Sequence, residues 1–575
     1  MEFTIPQGFR DVLADEAAER ERIARSVQDC FASCGYVPIE TPTLESMGVM
    51  QVGGRVPSSP FKFFDAQGNL VTMRPDVTLL VARMCATRLG DAPGAFRFRY
   101  MQRVFREVEG SAYAEAREKK QIGIECIGAS GCEVDAEVIG LFAKAMVVAG
   151  VRDFKLSLAT VGVLRALLTA SSGPVQWKEA VLETFHNSNF VEIDRLCDEA
   201  EANGSQFAPA IRRLARIRGG REAISAAREL AEPFGCAGAL DPFERTYELL
   251  VAEGLQDRIV IDFSVMSSFD YYTGFVFEAF APGLGTSLGS GGRYDNMLGT
   301  YGSDRPAAGF AFYLEEVQAA LAEQERRALK ATGDSGSEPE PAGTAIAPAD
   351  VKPLRIAVPK GSLNPDAVAA LSDAGLDVTG LDNPGRSLII SNPGVDFIIV
   401  RPSDAPIFVE TGAADCGICG EDSLLESDAD VVELVDLRFG ACRFIVAEPE
   451  GAADFTAEHY RRLGSIRVAT KYPNIARAHF ARRGTQVEIV ELHGNIELGP
   501  LTGMSECIVD ITATGTTLRE NNLVITDEVL SSTARFFANT ASFRTDARVR
   551  ALANDLRLQS RGRDLKVTAG GEGKQ

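Results

Sequence analysis

The chain is poor in histidine, the residue that most often binds transition metals or serves as a catalytic base. Its 575 residues include four, His186, His459, His479 and His493. No two of them are four positions apart, the spacing with which a helix presents two metal ligands. Nor does any pattern around them suggest a nucleophile–histidine–acid triad. The sequence therefore predicts neither a histidine-rich metal site nor histidine-based nucleophilic catalysis.

Dense cysteine pairing and long apolar runs are also missing. Eleven cysteines are scattered along the chain, which is typical of reduced thiols. Cys416 and Cys419 form a C-x-x-C pair, but no second pair stands at zinc spacing, so we interpret them as structural residues of a buried strand. No apolar run reaches the length of about 18 residues expected of a spanning helix. Residues 1–6 lack the basic and apolar regions of a leader, so we expect a cytoplasmic protein.

Positive charge is in short supply, with a net charge of −21. A nucleic-acid-binding surface needs a basic footprint, so this balance argues against one. It leaves room for a local basic pocket that binds phosphates.

The length predicts more than one domain. Residues 1–328 mix helices with mainly antiparallel strands and predict an α+β domain with a helical insertion at about 175–232. Residues 307–327 are predicted to close this domain as a helix. Its other predicted elements are helices at 16–31 and 134–148 and strands at 62–64, 69–73, 96–105 and 121–126.

The second half has a different pattern. Residues 329–353 lack aromatics and periodicity, which predicts a flexible linker. In residues 354–560 short apolar runs alternate with helical patterns, which indicates an α/β domain with parallel strands. Residues 561–575 are rich in glycine and charge and predict a disordered tail.

One stretch of the second half, residues 507–518 (CIVDITATGTTL), suggests a phosphate site. A strand would deliver a hydroxyl-rich turn to a helix start, where backbone N–H groups and the helix dipole suit a phosphate monoester. Gly515 would let the backbone approach the ligand, and Thr514, Thr516 and Thr517 would add hydroxyl donors. Asp510, at the strand end, would accept hydrogen bonds from ribose hydroxyls. The alternative is a capped helix without a ligand.

The surrounding motifs resemble ATP phosphoribosyltransferase, the enzyme that opens histidine biosynthesis. Five further segments carry this resemblance over about 353–560: residues 355–361 (RIAVPKG), 401–404 (RPSD), 412–418 (GAADCGI), 467–474 (RVATKYPN) and 494–501 (GNIELGPL). The resemblance implies two lobes of periplasmic-binding-protein-like topology around a cleft. It also implies that residues 514–517 hold the 5-phosphate of phosphoribosyl pyrophosphate.

Further substrate-binding residues follow from the same resemblance. Lys360 and Arg401 are candidate cations for the pyrophosphate or triphosphate groups, with solvated surface charge as the alternative. Asp422, Lys471 and Tyr472 match motifs that face the cleft. The family uses Mg²⁺, which we expect to be held mainly by substrate phosphates, with no protein ligand assigned.

Two residues depart from the family pattern. Ser362 stands where many relatives have arginine, and Glu421 stands where many have lysine or arginine. Both changes remove positive charge near the phosphates and leave the ATP subsite open.

The first half resembles the core of histidyl-tRNA synthetase, a class II aminoacyl-tRNA synthetase with an antiparallel sheet. Residues 6–11 (PQGFRD), 74–78 (RPDVT), 121–125 (QIGIE) and 269–274 (FDYYTG) carry the likeness. It implies a histidine pocket formed by Asp76, Thr78, Arg106, Gln121, Glu125, Tyr271 and Tyr272.

Two positions differ from the active synthetase. Ser267 occupies the place of an arginine that supports activation of the amino acid, and Glu316 that of the ATP-binding arginine of the third motif. A carboxylate beside triphosphate should repel ATP. Where the anticodon-binding domain is expected, the linker follows instead. This pattern resembles the regulatory subunit that accompanies short-form ATP phosphoribosyltransferase.

The combined resemblance predicts an ATP phosphoribosyltransferase with a fused histidine-sensing domain. Its substrates would be ATP and phosphoribosyl pyrophosphate, with histidine as inhibitor, and we expect a homo-oligomer that binds neither tRNA nor membrane. Two alternatives stay open: a bifunctional or degenerate histidine–tRNA ligase, and a non-catalytic sensor of histidine or nucleotide.

Overall fold

The structure is a computed structural model that describes residues 5–52, 61–106, 116–265, 272–333, 352–382, 385, 387–512 and 516–570. The chain divides into two compact units, Met1–Ile346 and Ala347–Gln575.

The described part of the first unit is organised around one large sheet. Its strands are β1 (Val37–Pro38), β2 (Leu44–Ser46), β3 (Lys62–Phe64), β4 (Leu70–Met73), β5 (Phe96–Phe105), β6 (Glu118–Ile127), β7 (Lys155–Thr160), β8 (Arg218–Gly219), β9 (Ile259–Asp262), β10 (Phe275–Phe280), β11 (Gly289–Arg293) and β12 (Ala307–Tyr313). Nine of them form a sheet in the order β1-β5-β6-β12-β11-β10-β7-β9-β8, and β2, β4 and β3 form a small second sheet. The pairs β1·β5 and β7·β9 are parallel and the other neighbours in the large sheet are antiparallel.

Helices surround this sheet and fill the segment expected to be a helical insertion. The helices of the first unit are α1 (Ala14–Ser33), α2 (Met47–Val52), α3 (Thr78–Arg88), α4 (Cys132–Ala149), α5 (Gly162–Ala170), α6 (Val175–His186), α7 (Phe190–Ala202), α8 (Ala208–Leu214), α9 (Arg221–Ala231), α10 (Asp241–Ala252) and α11 (Leu314–Gly333). Helices α6 to α9 lie within the predicted insertion, together with the two-residue strand β8.

The two faces of the central strands differ, and this difference creates the site described below. On one face Phe142 of α4 packs edge-on against Phe277 and Phe310, with ring centroids 5.1 and 5.2 Å apart. All three rings are buried, so this face forms the core. On the opposite face glycines alternate with polar residues, because successive side chains of a strand point to opposite sides.

Two predictions at the end of the first unit are wrong. Residues 307–313, predicted as the start of a helix, form the central strand β12, which pairs with β6 and β11. The alternation of Phe310 and Phe312 with small residues suits a buried strand better than a helix. The helix α11 then runs to Gly333, into the predicted linker 329–353, and most of the remainder of that linker lies outside the described residues.

The second unit has two sheets. Its strands are β13 (Leu354–Pro359), β14 (Ile389–Asn392), β15 (Val395–Val400), β16 (Cys416–Gly420), β17 (Val431–Asp436), β18 (Cys442–Pro449), β19 (Ile466–Thr470), β20 (Val487–Glu491), β21 (Cys507–Thr512), β22 (Leu523–Ser532) and β23 (Ala534–Asn539). A six-stranded sheet has the order β14-β15-β13-β16-β23-β17 and a five-stranded sheet the order β20-β19-β21-β18-β22. We call the two halves lobe A (six strands) and lobe B (five strands).

Its helices are α12 (Asn364–Asp373), α13 (Ala405–Glu410), α14 (Glu421–Ser427), α15 (Ala453–Leu463), α16 (Pro473–Arg482), α17 (Leu498–Leu501), α18 (Thr516–Glu520), α19 (Thr540–Thr545) and α20 (Ala547–Gly570). The last helix corrects the prediction of a disordered tail at 561–575, because it continues to Gly570. Residues 571–575 lie outside the described residues.

The sheets of the second unit are mixed, whereas the sequence predicted parallel strands. The pairs β13·β15, β13·β16, β19·β20 and β19·β21 are parallel, but β18, β22 and β23 run antiparallel to their partners. These antiparallel strands adjoin the short connections through which the chain passes between the lobes. Only Thr533 separates β22 of lobe B from β23 of lobe A.

Candidate functional site

Asp510 lies near the end of the buried strand β21, as the sequence predicted for a residue that meets a sugar. Its Oδ1 accepts a hydrogen bond of 2.8 Å from the backbone N–H of Ile511. Burial raises the pKa of Asp510, and the charge of Lys471 opposes that shift. The nearby carboxylate of Glu497 acts in the same direction as burial, and the hydrogen bond from Ile511 holds the Asp510 side chain in place.

The turn after Asp510 is described only in part. Helix α18 begins at Thr516, so a strand and a helix flank the predicted phosphate loop. Thr517 is exposed, and its carbonyl accepts from the backbone and side-chain amides of Asn521 at 3.2 and 2.8 Å. Thr514, Gly515 and the side chain of Thr516 lie outside the described residues.

Lys471 and Tyr472 follow the neighbouring strand β19 and lie at the same sheet edge as Asp510. Strands β19 and β21 are parallel, with Thr470 opposite Val509. The hydroxyl of the fully buried Thr470 accepts from the backbone N–H of Tyr472 at 2.9 Å, which fixes the turn. Parallel strands that end together present their following residues to one ligand.

Tyr472 packs within lobe B and is influenced by charge in both lobes. Its ring packs edge-on against Phe444 at 4.8 Å between centroids. Burial raises the pKa of Tyr472, and the nearby carboxylates of Asp422 and Asp510 raise it further. One tyrosine therefore lies close to an acidic residue of each lobe.

Asp422 is an acidic candidate residue of lobe A. It follows β16 and stands in the first turn of α14. Ser532, the last residue of β22, donates its hydroxyl to Asp422 Oδ1 at 2.9 Å, and the Asp422 N–H lies 3.2 Å from that hydroxyl oxygen. Asp422 is thus fixed at the point where the chain crosses between the lobes.

Lys360 and Arg401 share an edge with Asp422. Strands β15, β13 and β16 are parallel neighbours, and Arg401, Lys360 and Glu421–Asp422 follow their carboxyl ends. The backbone N–H of Lys360 donates to the carbonyl of Val400 at 2.8 Å. Both basic side chains are exposed and available to an anionic ligand.

Glu421, one of the departures from the family pattern, has a cationic partner. Its Oε2 lies 2.8 Å from Arg535, which also contacts Glu433 at 2.7 Å and Asp436 at 2.9 Å. Burial raises the pKa of Glu433 to about 7, against the opposing charge of Arg535. The other departure, Ser362, lies exposed in a short 3₁₀ turn, Gly361–Leu363.

In the first unit, the predicted histidine-binding residues gather around Glu125 on β6. The Tyr100 hydroxyl donates to Glu125 Oε1 at 3.3 Å and lies 3.4 Å from the Thr78 hydroxyl, while the Tyr294 hydroxyl donates to Oε2. Burial and the nearby Asp76 carboxylate raise the pKa of Glu125 to about 8, against the opposing effect of these hydrogen bonds. The side chain is fully buried.

Asp76 and Gln121 form the next part of the cluster. The side-chain amide of Gln121 donates to Asp76 Oδ2 at 2.9 Å, and its oxygen accepts from the N–H of Val77 at 2.9 Å. Tyr272 joins from the other side, 6.5 Å from Tyr294 between ring centroids, and Tyr271 lies outside the described residues. Tyr100 and Tyr294 were not predicted, because Tyr100 looks like a core aromatic of a strand and Tyr294 belongs to none of the motifs that carry the resemblance.

Glycines form the floor of this cluster. A methyl group on Gly309 would fall against the Glu125 carboxylate, and one on Gly123 against the Tyr100 hydroxyl. On Gly292 it would lie 2.5 Å from the ring of Tyr272. Only glycine leaves space for polar side chains to cross the sheet here.

Arg106 is held apart from this cluster. It donates to the carbonyl of Pro75 at 3.1 Å and to the hydroxyl of Tyr313, and its guanidinium lies 5.3 Å from the centre of that ring.

A cavity of about 1140 Å³ opens on the opposite face of the sheet, where Met101, Arg103, Glu118 and Lys120 line it. None of the predicted histidine-binding residues belongs to its lining.

Comparison with known proteins now identifies the two units. Residues 8–317 match the histidyl-tRNA synthetase family, and residues 401–558 match the ATP phosphoribosyltransferase family. An ATP phosphoribosyltransferase of Rubrobacter xylanophilus is 50% identical over 218 residues, which are 38% of this chain and 99% of that protein. The chain belongs to the ATP phosphoribosyltransferases.

The first unit is the regulatory part of this transferase. An ATP phosphoribosyltransferase regulatory subunit of Moorella thermoacetica is 36% identical over 321 residues, 56% of this chain and 82% of that subunit. A solved structure from Bacillus halodurans, described as a regulatory subunit/histidyl-tRNA synthetase, has a TM-score of 0.51 and 27% identity over 69% of this chain and 93% of that one. The chain is thus a histidine-biosynthetic enzyme that joins a class II synthetase-like regulatory domain to a short-form catalytic domain, as the sequence predicted.

The regulatory domain of this transferase carries Glu316 in a compensated position. Lys119 Nζ lies 3.2 Å from Glu316 Oε1, and the Thr286 hydroxyl donates to Oε2 at 2.9 Å. Ser267, the other departure from the active synthetase, lies outside the described residues.

The described residues of the transferase contain no group of three or more histidine, cysteine, aspartate or glutamate side chains placed to hold a metal ion. Within the same residues, no helix has the length and apolar character needed to cross a membrane.

Proposed function

We propose that the second unit binds ATP and phosphoribosyl pyrophosphate between its lobes and that histidine bound in the first unit inhibits it. The observation that carries the catalytic part is the contact between the lobes beside the candidate residues. Asp422 of lobe A is hydrogen-bonded to Ser532 of lobe B. Its helix α14 is also bonded, through Glu426, to the two backbone N–H groups at the start of α16, just after Lys471 and Tyr472. The carboxyl edges of two sheets therefore meet at the place where substrates bind in α/β proteins.

In this proposal Asp510 accepts hydrogen bonds from the ribose hydroxyls, and residues 514–517 hold the 5-phosphate. Lys471 follows β19, the parallel neighbour of the strand that carries Asp510, so its charge is available to the pyrophosphate that leaves C1. Lys360 and Arg401, exposed at the edge of lobe A, oppose the remaining phosphate charge.

The reaction joins N1 of the adenine to C1 of the ribose and releases pyrophosphate. N1 carries its own lone pair, so the chain has to orient the substrates and stabilise the leaving group rather than remove a proton. The carboxylates of Asp422 and Asp510 are the hard oxygen donors that Mg²⁺ prefers, so the cleft fits a cation held mainly by substrate phosphates. Such a cation would neutralise charge on the pyrophosphate.

The regulatory part rests on the Glu125 cluster. Asp76 offers a carboxylate to an ammonium group, and Glu125, Tyr100 and Tyr294 offer polar groups to an imidazole. Arg106 is the candidate partner for the carboxylate of histidine; it lies against Tyr313 and would have to turn towards the ligand. We further propose that the chain is a cytoplasmic homo-oligomer.

One assay tests both parts. Full-length protein is mixed with ATP, phosphoribosyl pyrophosphate and Mg²⁺, and release of pyrophosphate is followed with and without histidine. We expect turnover that histidine lowers. Turnover that is indifferent to saturating histidine would refute the regulatory proposal and leave the catalytic one standing; loading of histidine onto tRNA would favour the ligase alternative.

A further inference from the structure

The short helix α14 of lobe A presents two acidic residues to lobe B. Asp422 and Glu426 are four positions apart, so both project from the same side of the helix. Asp422 lies near Tyr472, as described above, and Glu426 lies one turn further along.

Glu426 caps the N-terminus of α16, a helix of lobe B. Its Oε1 accepts from the backbone N–H of Asn474 and its Oε2 from that of Ile475, both at 3.1 Å. The side-chain amide of Asn474 donates back to the carbonyl of Glu426 at 2.8 Å. Three hydrogen bonds thus join the two lobes at this point.

The sequence of α16 explains why it uses a cap from another lobe. Tyr472 stands at the N-cap position, where its side chain makes no capping hydrogen bond, and Pro473 has no N–H. The N–H groups of Asn474 and Ile475 therefore need an external acceptor. A carboxylate satisfies both donors and also lies favourably at the positive end of the helix.

We propose that Glu426 is a positioning residue for the transferase reaction: by capping α16 it sets Lys471 and Tyr472 at the correct distance from Asp422. The inference rests on the proposed placement of the substrates between the lobes. Glu426 itself contacts no substrate in this arrangement.

The local geometry supports transmission from Glu426 to the site. The capped residues Asn474 and Ile475 come directly after the turn that carries Lys471 and Tyr472. That turn is fixed to β19 by Thr470, and Asp422 is fixed to β22 by Ser532. Asp422 is therefore anchored at the chain crossing and the Lys471–Tyr472 turn at its own sheet, and Glu426 provides a second link between the two lobes.

The test compares Glu426→Ala and Glu426→Gln in the full-length protein with a matched control, Glu410→Ala. Glu410 also accepts a backbone hydrogen bond, from the N–H of Asp430 at 2.9 Å, but within lobe A. We expect Glu426→Ala to raise KM for at least one substrate about tenfold while kcat stays within roughly threefold, because binding must then restore the alignment. Glu426→Gln, which keeps one acceptor, should lie between, and Glu410→Ala should leave both KM values unchanged.

A second variant approaches the same contact from lobe B. Asn474→Ala removes the hydrogen bond from the Asn474 side-chain amide to the Glu426 carbonyl and should raise the same KM. In the double variant with Glu426→Ala, the fold-increase in KM should be smaller than the product of the two single increases. If Glu426→Ala and Glu410→Ala have equal KM values, the inference is wrong. If Glu426→Ala does not fold, wild-type KM values in Glu426→Gln overturn it equally well. If the proposed placement of the substrates between the lobes is itself wrong, a separate variant will show it: Asp510→Asn will then have an unchanged rate.

Discussion

Glu421 and Arg535 form an ion pair of 2.8 Å in lobe A, although they are far apart in the sequence. The sequence showed only that Glu421 replaces a cation, which suggested a loss of positive charge near the phosphates. In the structure the Glu421 carboxylate is paired with Arg535, which also forms ion pairs with Glu433 and Asp436. The replacement is therefore part of a network at the base of α14.

Removal of Arg535 should destabilise the second unit strongly. In Arg535→Met three carboxylates would lose their common cation, and uncompensated buried charge costs about 3–5 kcal/mol. We expect a lower midpoint for one of the calorimetric transitions of the full-length protein. The exposed pair Arg443–Glu528, 3.8 Å apart, provides the control, since Arg443→Met should change stability by less than about 1 kcal/mol. Equal midpoints for the two variants would contradict the structural role of Arg535.

Glu433 should make stability depend on pH. Its pKa in the folded chain is about 7, above the ordinary value of 4.5, because burial disfavours the charge. A raised carboxyl pKa means that the folded state binds the proton more tightly, so its contribution to stability is present below pH 4.5 and is lost as pH rises through 7.

Glu433→Gln removes this titration. As pH rises from 5 to 8, we expect the free energy of unfolding of the variant to increase by roughly 1–3 kcal/mol relative to that of the wild type. The measurement is denaturant unfolding of both proteins at several pH values. A difference between them that is constant over this range would refute the raised pKa.

Continuous apolar runs allowed much of the second unit to be predicted. Strands β13, β16, β19 and β21 lie at such runs, because a buried parallel strand has apolar residues on both faces. β12 was missed because alanine, phenylalanine and tyrosine occur in helices and strands alike, and its partners β6 and β11 decide the outcome. The antiparallel crossings at β22 and β23 depend on tertiary pairing that no local pattern reveals.

The position of a candidate residue could be predicted where that residue lies at a strand end. Lys360, Arg401, Asp422 and Lys471 follow strands and Asp510 lies near the end of one, and the sheet order brings them to two edges. Arg535 and Glu426 were not predicted. Each acts through a partner distant in sequence, and an isolated arginine or glutamate on a strand or short helix is indistinguishable from a solvated charge.

Asp510 should be essential for turnover but not for folding. Asp510→Asn keeps the shape of the side chain and removes the charge that would meet the ribose hydroxyls and Lys471, so we expect kcat/KM to fall about 10²–10³-fold. Because burial already disfavours the charge of Asp510, the melting midpoint should be unchanged or higher. Glu528→Gln, at an exposed position of lobe B, is the matched control and should keep the wild-type rate. A near-normal rate in Asp510→Asn would remove this residue from the proposed site.

Glu125 should control inhibition by histidine. Glu125→Gln retains the volume of the side chain but changes the hydrogen bonding with Tyr100 and Tyr294, and a misplaced polar group in a buried site costs about 1–3 kcal/mol of binding. The inhibitor concentration for half effect should therefore rise about tenfold or more, with kcat unchanged. Glu229→Gln, an exposed residue of the helical insertion, should behave as wild type. Inhibition of Glu125→Gln at the wild-type concentration would exclude this cluster as the effector site.

Gly309→Ala tests whether the glycine floor is needed for the effector site. The added methyl group would fall against the Glu125 carboxylate and the carbonyl of Ile124, so either the side chain moves or the strands β6 and β12 separate. Overpacking of this kind costs about 1–3 kcal/mol of stability. We expect a lower melting midpoint together with weaker inhibition by histidine, while the rate without histidine is preserved because the chemistry lies in the other unit.

Gly254→Ala, at an exposed turn with positive φ and open space around it, serves as the control. It should lower stability through backbone strain alone and leave inhibition intact. Unaltered inhibition in a folded Gly309→Ala protein would show that histidine does not need Glu125 in its present position.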